Sequence, residues 1–207
     1  MPSESLIDTP SGTARVFRHP VAVPRALLVL GHGAGGGVGA PDLTAATAAA
    51  REAGVEVALV EQPYRVAGRK VPSPAAQLDA AWLAVISALR SSGHELPLFT
   101  GGRSSGARVA CRTAGATGAS GVLCLAFPLF APARRDGVRP SRQAELDDAG
   151  VPVLVVQGLT DPFGMPEPAA DRDVVRLVGD HGLKKDLAGV RTAVGTWLTA
   201  RLDPPSS

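Results

Sequence analysis

The chain has 207 residues, 45% hydrophobic and 19% charged, with a net charge of +2. These values describe one soluble globular domain over 1–207 with ample core. No basic block interleaved with aromatics, no apolar run of membrane-spanning length and no signal pattern is present. Nucleic acid and membrane are therefore not expected partners, and a cytoplasmic location is the default expectation.

Residues 1–9 are polar and read as a frayed tail, as do residues 203–207. Residues 13–17 are expected as an edge strand, ended by His19-Pro20. Residues 26–30 form a continuous apolar run, the pattern of a strand buried on both faces of a parallel sheet. The run leads directly into Gly31-His32-Gly33-Ala34-Gly35-Gly36-Gly37. Gly31, Gly33 and Gly36 fit a dinucleotide-loop spacing, with Glu61 as the acidic partner, but no Lys-Ser/Thr follows to make a phosphate loop. The better match is the H-G-G-G type of loop that supplies an oxyanion-hole N–H, here from Ala34 or Gly35. His32 lies at the edge of the same site, more as a brace for the loop than as a proton carrier.

Asp42 is expected to cap a helix running to Ala53, which Gly54 stops. Residues 55–60 read as the next strand, and residues 61–70 as a long loop carrying Arg65, Arg69 and Lys70. A helix over residues 75–90 places Leu78, Trp82, Val85 and Leu89 in one apolar stripe, which makes Trp82 a core residue. Residues 91–94 turn the chain back, with His94 in an exposed loop.

The next strand ends in Gly101-Gly102-Arg103-Ser104-Ser105-Gly106, and a helix can start at Ser105. Gly102 to Gly106 fits G-x-S-x-G, the nucleophile elbow, in which the serine sits on a strained strand-to-helix turn. The two glycines are needed because a Cβ at either position would collide with a neighbouring element. The turn aims the Ser105 N–H and the positive end of the helix at the Ser104 hydroxyl.

Strands follow at residues 121–127, 151–158 and 173–178, and a helix at 184–201 closes the chain. Cys111 and Cys124 lie in apolar surroundings and read as buried free thiols rather than a disulfide. Strands alternating with helices mean a doubly wound, mostly parallel α/β sheet with helices on both faces. Sites in such sheets form at the carboxyl ends of the strands. Asp161 and His181 follow the last two strands, and the order Ser104, Asp161, His181 is that of the α/β-hydrolase triad. Of the four histidines only His181 lies beyond the candidate acid. Asp171, Asp173 and Asp180 are nearby acids, but Asp180 is poorly placed to reach its own neighbour's ring. A serine hydroxyl needs such a base, and the base needs a carboxylate to fix its tautomer.

These residues resemble a known group. Leu30-Gly31-His32-Gly33-Ala34-Gly35-Gly36, Gln62-Pro63-Tyr64, Gly101-Gly102-Arg103-Ser104, Gln157-Gly158…Asp161-Pro162-Phe163-Gly164 and Gly179-Asp180-His181 look like the small α/β-hydrolase-like, dienelactone-hydrolase-related family. That family includes testis-expressed protein thirty and the hydrolase-like domain of the NSL chromatin complex. The resemblance implies the α/β-hydrolase fold and carries over Ser104, Asp161 and His181 as nucleophile, acid and base. The family's elbow more often reads G-G-[KR]-S-M-G-G, and here Ser105 and Ala107 replace Met and Gly.

Only the 24 residues 127–150 are available where larger hydrolases insert a cap, so the site is expected to be shallow with little or no lid. Phe127, Leu129 and Phe163 are the expected apolar wall. Arg103, Arg65, Arg69 and Arg139 have two readings of equal weight: they border the pocket and favour an anionic substrate, or they are surface arginines. No metal-ligand spacing appears and no cofactor is called for. The expected activity is hydrolysis of small carboxylic esters or thioesters through an acyl-enzyme. A catalytically idle binding module is the alternative, and a homodimer is compatible with the composition.

Overall fold

The apolar run after residue 25 lies where a strand hydrophobic on both sides belongs, in the middle of a sheet with helices above and below. A computed structural model describes residues 3–91, 96–133 and 135–203. In chain order the elements are β1 (Ser3–Thr9), β2 (Gly12–His19), β3 (Ala26–Gly31), α1 (Pro41–Glu52), β4 (Val55–Glu61), α2 (Pro63–Val66) and α3 (Ala75–Arg90). They continue with β5 (Leu98–Arg103), α4 (Ser105–Thr117), β6 (Gly121–Leu125), α5 (Gln143–Asp147), β7 (Val153–Gly158), β8 (Arg172–Leu177) and α6 (Leu187–Leu202).

The eight strands form one sheet in the order β1-β2-β4-β3-β5-β6-β7-β8. β3 to β8 pair in parallel, and β1 and β2 add antiparallel at one edge. Alternation along β3 shows why its residues are all apolar. Ala26, Leu28 and Leu30 pack with α1 and α6, whereas Val29 packs with α3 on the other face. Beyond it, α4 covers Val122 and Cys124 of β6 and Val153 and Val155 of β7. This is the α/β-hydrolase fold, with no lid among the described residues. Of the described residues between β6 and β7, the helical ones are the five of α5.

The structure departs from expectation in four places. Residues 3–9, expected as a loose tail, form β1, because their register with Gly12–His19 satisfies seven residue pairs of backbone. β2 is consequently an inner strand flanked by β1 and β4, not an edge. The expected cap Asp42 is not the N-cap of α1 either. Ala40 holds that place, and Asp42 lies in the first turn, buried against Arg103. The loop at 61–70 also contains one short helix, α2, opened by Pro63 in the first helical turn. His94, Arg134 and residues 204–207 lie outside the described residues.

Candidate active site

The end of β5 is squeezed against the end of β3. A Cβ on Gly102 would lie 2.5 Å from the Gly31 carbonyl oxygen, and one on Gly106 would lie 2.4 Å from the same atom. Only glycine permits this approach, so the chain can reverse from strand to helix within one residue. That residue is Ser104, with φ 53° and ψ −107°. A non-glycine residue in this region stores strain that the surroundings must hold. The Ser104 N–H holds it by donating to the Leu125 carbonyl at 2.9 Å. Among the described residues, the other non-glycine positions with positive φ are Ala126 and Leu183, which also lie at the carboxyl end of the sheet.

Two loops at that same end bring Asp161, after β7, and His181, after β8, to Ser104. The His181 Nε2 lies 3.0 Å from the Ser104 Oγ, and its Nδ1 lies 2.8 Å from the Asp161 Oδ2. With Nδ1–H donating to the carboxylate, Nε2 is left to accept the serine O–H. The Asp161 carboxylate is fully buried. Its Oδ2 also accepts from the Gln157 amide at 2.8 Å, and its Oδ1 accepts from the Phe163 N–H at 2.8 Å. Gln157 is wholly buried at the end of β7, and its amide also points at the Phe127 and Gly164 carbonyl oxygens, 3.0 and 2.9 Å away. One side chain thus ties the Asp161 loop to the loop after β6.

The glycine loop after β3 is held from behind. His32 is buried; its Nδ1 lies 2.8 Å from the Gly33 carbonyl oxygen, and its Nε2 accepts from the Gln62 N–H at 3.1 Å. Burial pushes its pKa below 6.5, which suits a neutral brace. The Tyr64 hydroxyl donates to the Ala34 carbonyl at 3.0 Å. These contacts hold the loop from behind, and its Gly33 lies against the elbow: a Cβ there would touch the Ser104 Cβ at 3.6 Å.

The expected wall residues separate into two groups. The Phe163 ring lies 4.6 Å from the His181 imidazole and is partly exposed. Phe127 is wholly buried in the cluster beneath α4, and Leu129 is buried with it. Arg139 donates to the Pro162 carbonyl at 2.8 Å and stacks on Phe130, which staples the short segment after β6. Arg103 makes an ion pair with Asp42 and donates to the His181 carbonyl. Gln157, Tyr64 and Asp42 carry the site geometry, yet sequence reasoning gave them no such part. Gln157 did leave a signal, as a lone polar residue closing an apolar strand.

Away from Ser104, Asp161 and His181, a groove of about 850 Å³ runs between β8 and α6, lined by Leu154, Val174, Leu177, Ala193 and Trp197. Cys111 and Cys124 are free, buried thiols with their sulfurs 3.4 Å apart. Among the described residues no cluster of three or more His, Cys, Asp or Glu could hold a metal ion. No helix among them is long and apolar enough to cross a membrane.

A family model described as an alpha/beta hydrolase domain matches residues 24–187, and the chain belongs to that family. Solved structures share the fold. An α/β serine hydrolase without lid from Xanthomonas campestris is 22% identical, with a TM-score of 0.76 over 100% of this chain and 97% of that one. An α/β serine hydrolase homologue from Coxiella burnetii is 16% identical, with a TM-score of 0.78 over 95% and 97%. Est1E from Butyrivibrio proteoclasticus is 15% identical, with a TM-score of 0.77 over 96% and 98%. A comparison with curated protein sequences finds no match.

Proposed function

We propose that this α/β-hydrolase family member is a serine esterase for small carboxylic esters or thioesters, with Ser104 as nucleophile, His181 as general base and acid, and Asp161 as its orienting carboxylate. The observation that carries the reading is the Ser104–His181–Asp161 relay at 3.0 and 2.8 Å, ending on a serine held at positive φ. As the Ser104 oxygen bonds to the ester carbonyl carbon, its proton passes to His181 Nε2 and the carbonyl electron pair moves onto oxygen. The N–H groups of Ser105 and of Ala34, with Gly35 as the alternative, receive that oxyanion, helped by the positive end of α4. The Asp161 carboxylate stabilises the imidazolium without taking its proton.

Collapse of this intermediate breaks the bond to the leaving oxygen or sulfur, which departs with the proton from His181. Water then adds to the acyl-enzyme by the same steps in reverse, and Ser104 recovers its proton. The lid-less rim, with Phe163 against His181, suits small acyl substrates that need no enclosing cavity. Active-site labelling with a fluorophosphonate, paired with turnover of p-nitrophenyl esters, tests the proposal. Ser104→Ala and His181→Ala are each expected to abolish labelling and to lower kcat by about 10^4-fold or more. A folded native protein that neither labels nor turns over any ester would refute the assignment.

A further inference from the structure

Arg103 is the last residue of β5 and immediately precedes Ser104, yet its side chain turns inward, with only 19% of it exposed. Its Nε lies 3.0 Å from the Oδ2 of Asp42, a carboxylate 1% exposed in the first turn of α1. Its Nη2 donates to the backbone carbonyl of His181 at 3.0 Å. Its Nη1 fills the space beside Gly33, where a Cβ would lie 2.9 Å away. One planar guanidinium therefore touches the glycine loop, the anchor of α1 and the loop that carries the base.

An arginine serving only as a rim charge for a substrate anion would have no use for a buried carboxylate partner. Burying both charges costs desolvation, and burial indeed pushes the Asp42 carboxyl up while Arg103 pulls it down. What the pair achieves is a fixed direction for the fork. His181 is held at its ring by Asp161 and Phe163, and at its main chain by Arg103. A shift of the main chain would swing Nε2 off the Ser104 oxygen, and misplacement by about 1 Å costs on the order of 100-fold in rate.

We propose that Arg103, aligned by Asp42, is a positioning residue that fixes the His181 main chain for proton transfer and is not a receptor for a substrate anion. The inference rests on the acyl-transfer reading above. Lysine offers its donors from a single nitrogen and cannot span Asp42 and the His181 carbonyl as a fork does.

The test compares the native enzyme with Arg103→Met, Arg103→Lys and the double variant Arg103→Met/Asp42→Asn. Each is assayed on a neutral p-nitrophenyl ester and on one bearing a carboxylate, and thermal melting is recorded. Arg103→Met is expected to lower kcat about 10- to 100-fold with KM for the neutral ester within about twofold, and to lower Tm because Asp42 is left buried and unpaired. The double variant is expected to regain Tm but not kcat. If Arg103→Met does not fold, the loss of kcat at unchanged KM is read from Arg103→Lys and the double variant.

Recovery of kcat together with Tm would reduce the pair to a stabilising contact and overturn the proposal. So would a rise in KM confined to the carboxylate-bearing ester, or variants with native kcat. Absence of Ser104-dependent turnover in the native enzyme would remove the esterase reading itself and this inference with it.

Discussion

Two glycine-rich stretches flank Ser104, and they use glycine in opposite ways. In 101–106 the glycines make room. A Cβ on Gly101 would lie 2.4 Å from the Leu123 carbonyl oxygen, and those on Gly102 and Gly106 would strike the Gly31 carbonyl oxygen. In 31–39 only the first part is so confined, at Gly31 against Trp82 and Gly106 and at Gly33 against Arg103. Gly35, Gly36, Gly37 and Gly39 have open space where a Cβ would go, and none has positive φ. The elbow is rigid because glycine allows tight packing. The loop is positioned instead by side chains behind it, His32 and Tyr64. Richness in glycine hides two different physical arrangements.

Four substitutions test that contrast. The largest effect is expected from Gly106→Ala, whose new methyl would meet backbone that cannot move without displacing β3. Chemical denaturation should show a loss of about 3 kcal/mol or more, and failure to fold would agree with it. A near-neutral result would mean that the elbow has slack.

The second concerns the brace. The folded chain keeps His32 neutral, with its pKa below 6.5, whereas the unfolded chain takes up a proton near 6.5. The stability from this group is therefore complete above about pH 6.5 and is lost as pH falls through the folded value. His19 is shifted the same way, by partial burial and then by Arg51, so the native pH profile alone does not isolate the brace. His32→Gln is expected to cost about 2 kcal/mol at pH 7.5 and to flatten the fall in Tm between pH 7 and 5. An unchanged slope would show that His32 does not hold the loop in this way.

The smallest effect is expected at Gly36 and Gly37. Alanine fits the space and the backbone there, so each substitution should add about 0.4–1 kcal/mol by restricting the unfolded chain, visible as a Tm higher by roughly 1–4 °C. A lower Tm would show that the open loop needs glycine after all.

Much of this architecture was legible in the chain. The helix over 75–90 and its core residue Trp82 follow from apolar spacing alone, and the helix coincides with α3. The strand at β3 followed from an unbroken apolar run, and the elbow from a five-residue pattern in the right context. The misreadings share a cause. β1 is polar and mostly exposed, so hydrophobic periodicity could not show it; it is held by pairing with β2 and by Ile7, which packs against the core cluster beneath α3. Asp42 looked like a cap because acidic residues near helix starts commonly are, and nothing local revealed the arginine on another strand that would claim it.

The sequence by itself determined the alternation of strands and helices, the strained serine turn and the chain order of Ser104, Asp161 and His181. These depend on patterns a few residues long or on positions at strand ends. Only the tertiary structure decided that Gln157 would hold Asp161, that Phe127 would be core rather than wall, and that Arg103 would reach the His181 carbonyl, a residue 78 positions away. Such contacts depend on how neighbouring strands twist and which loops their ends bring together, and no local periodicity encodes that.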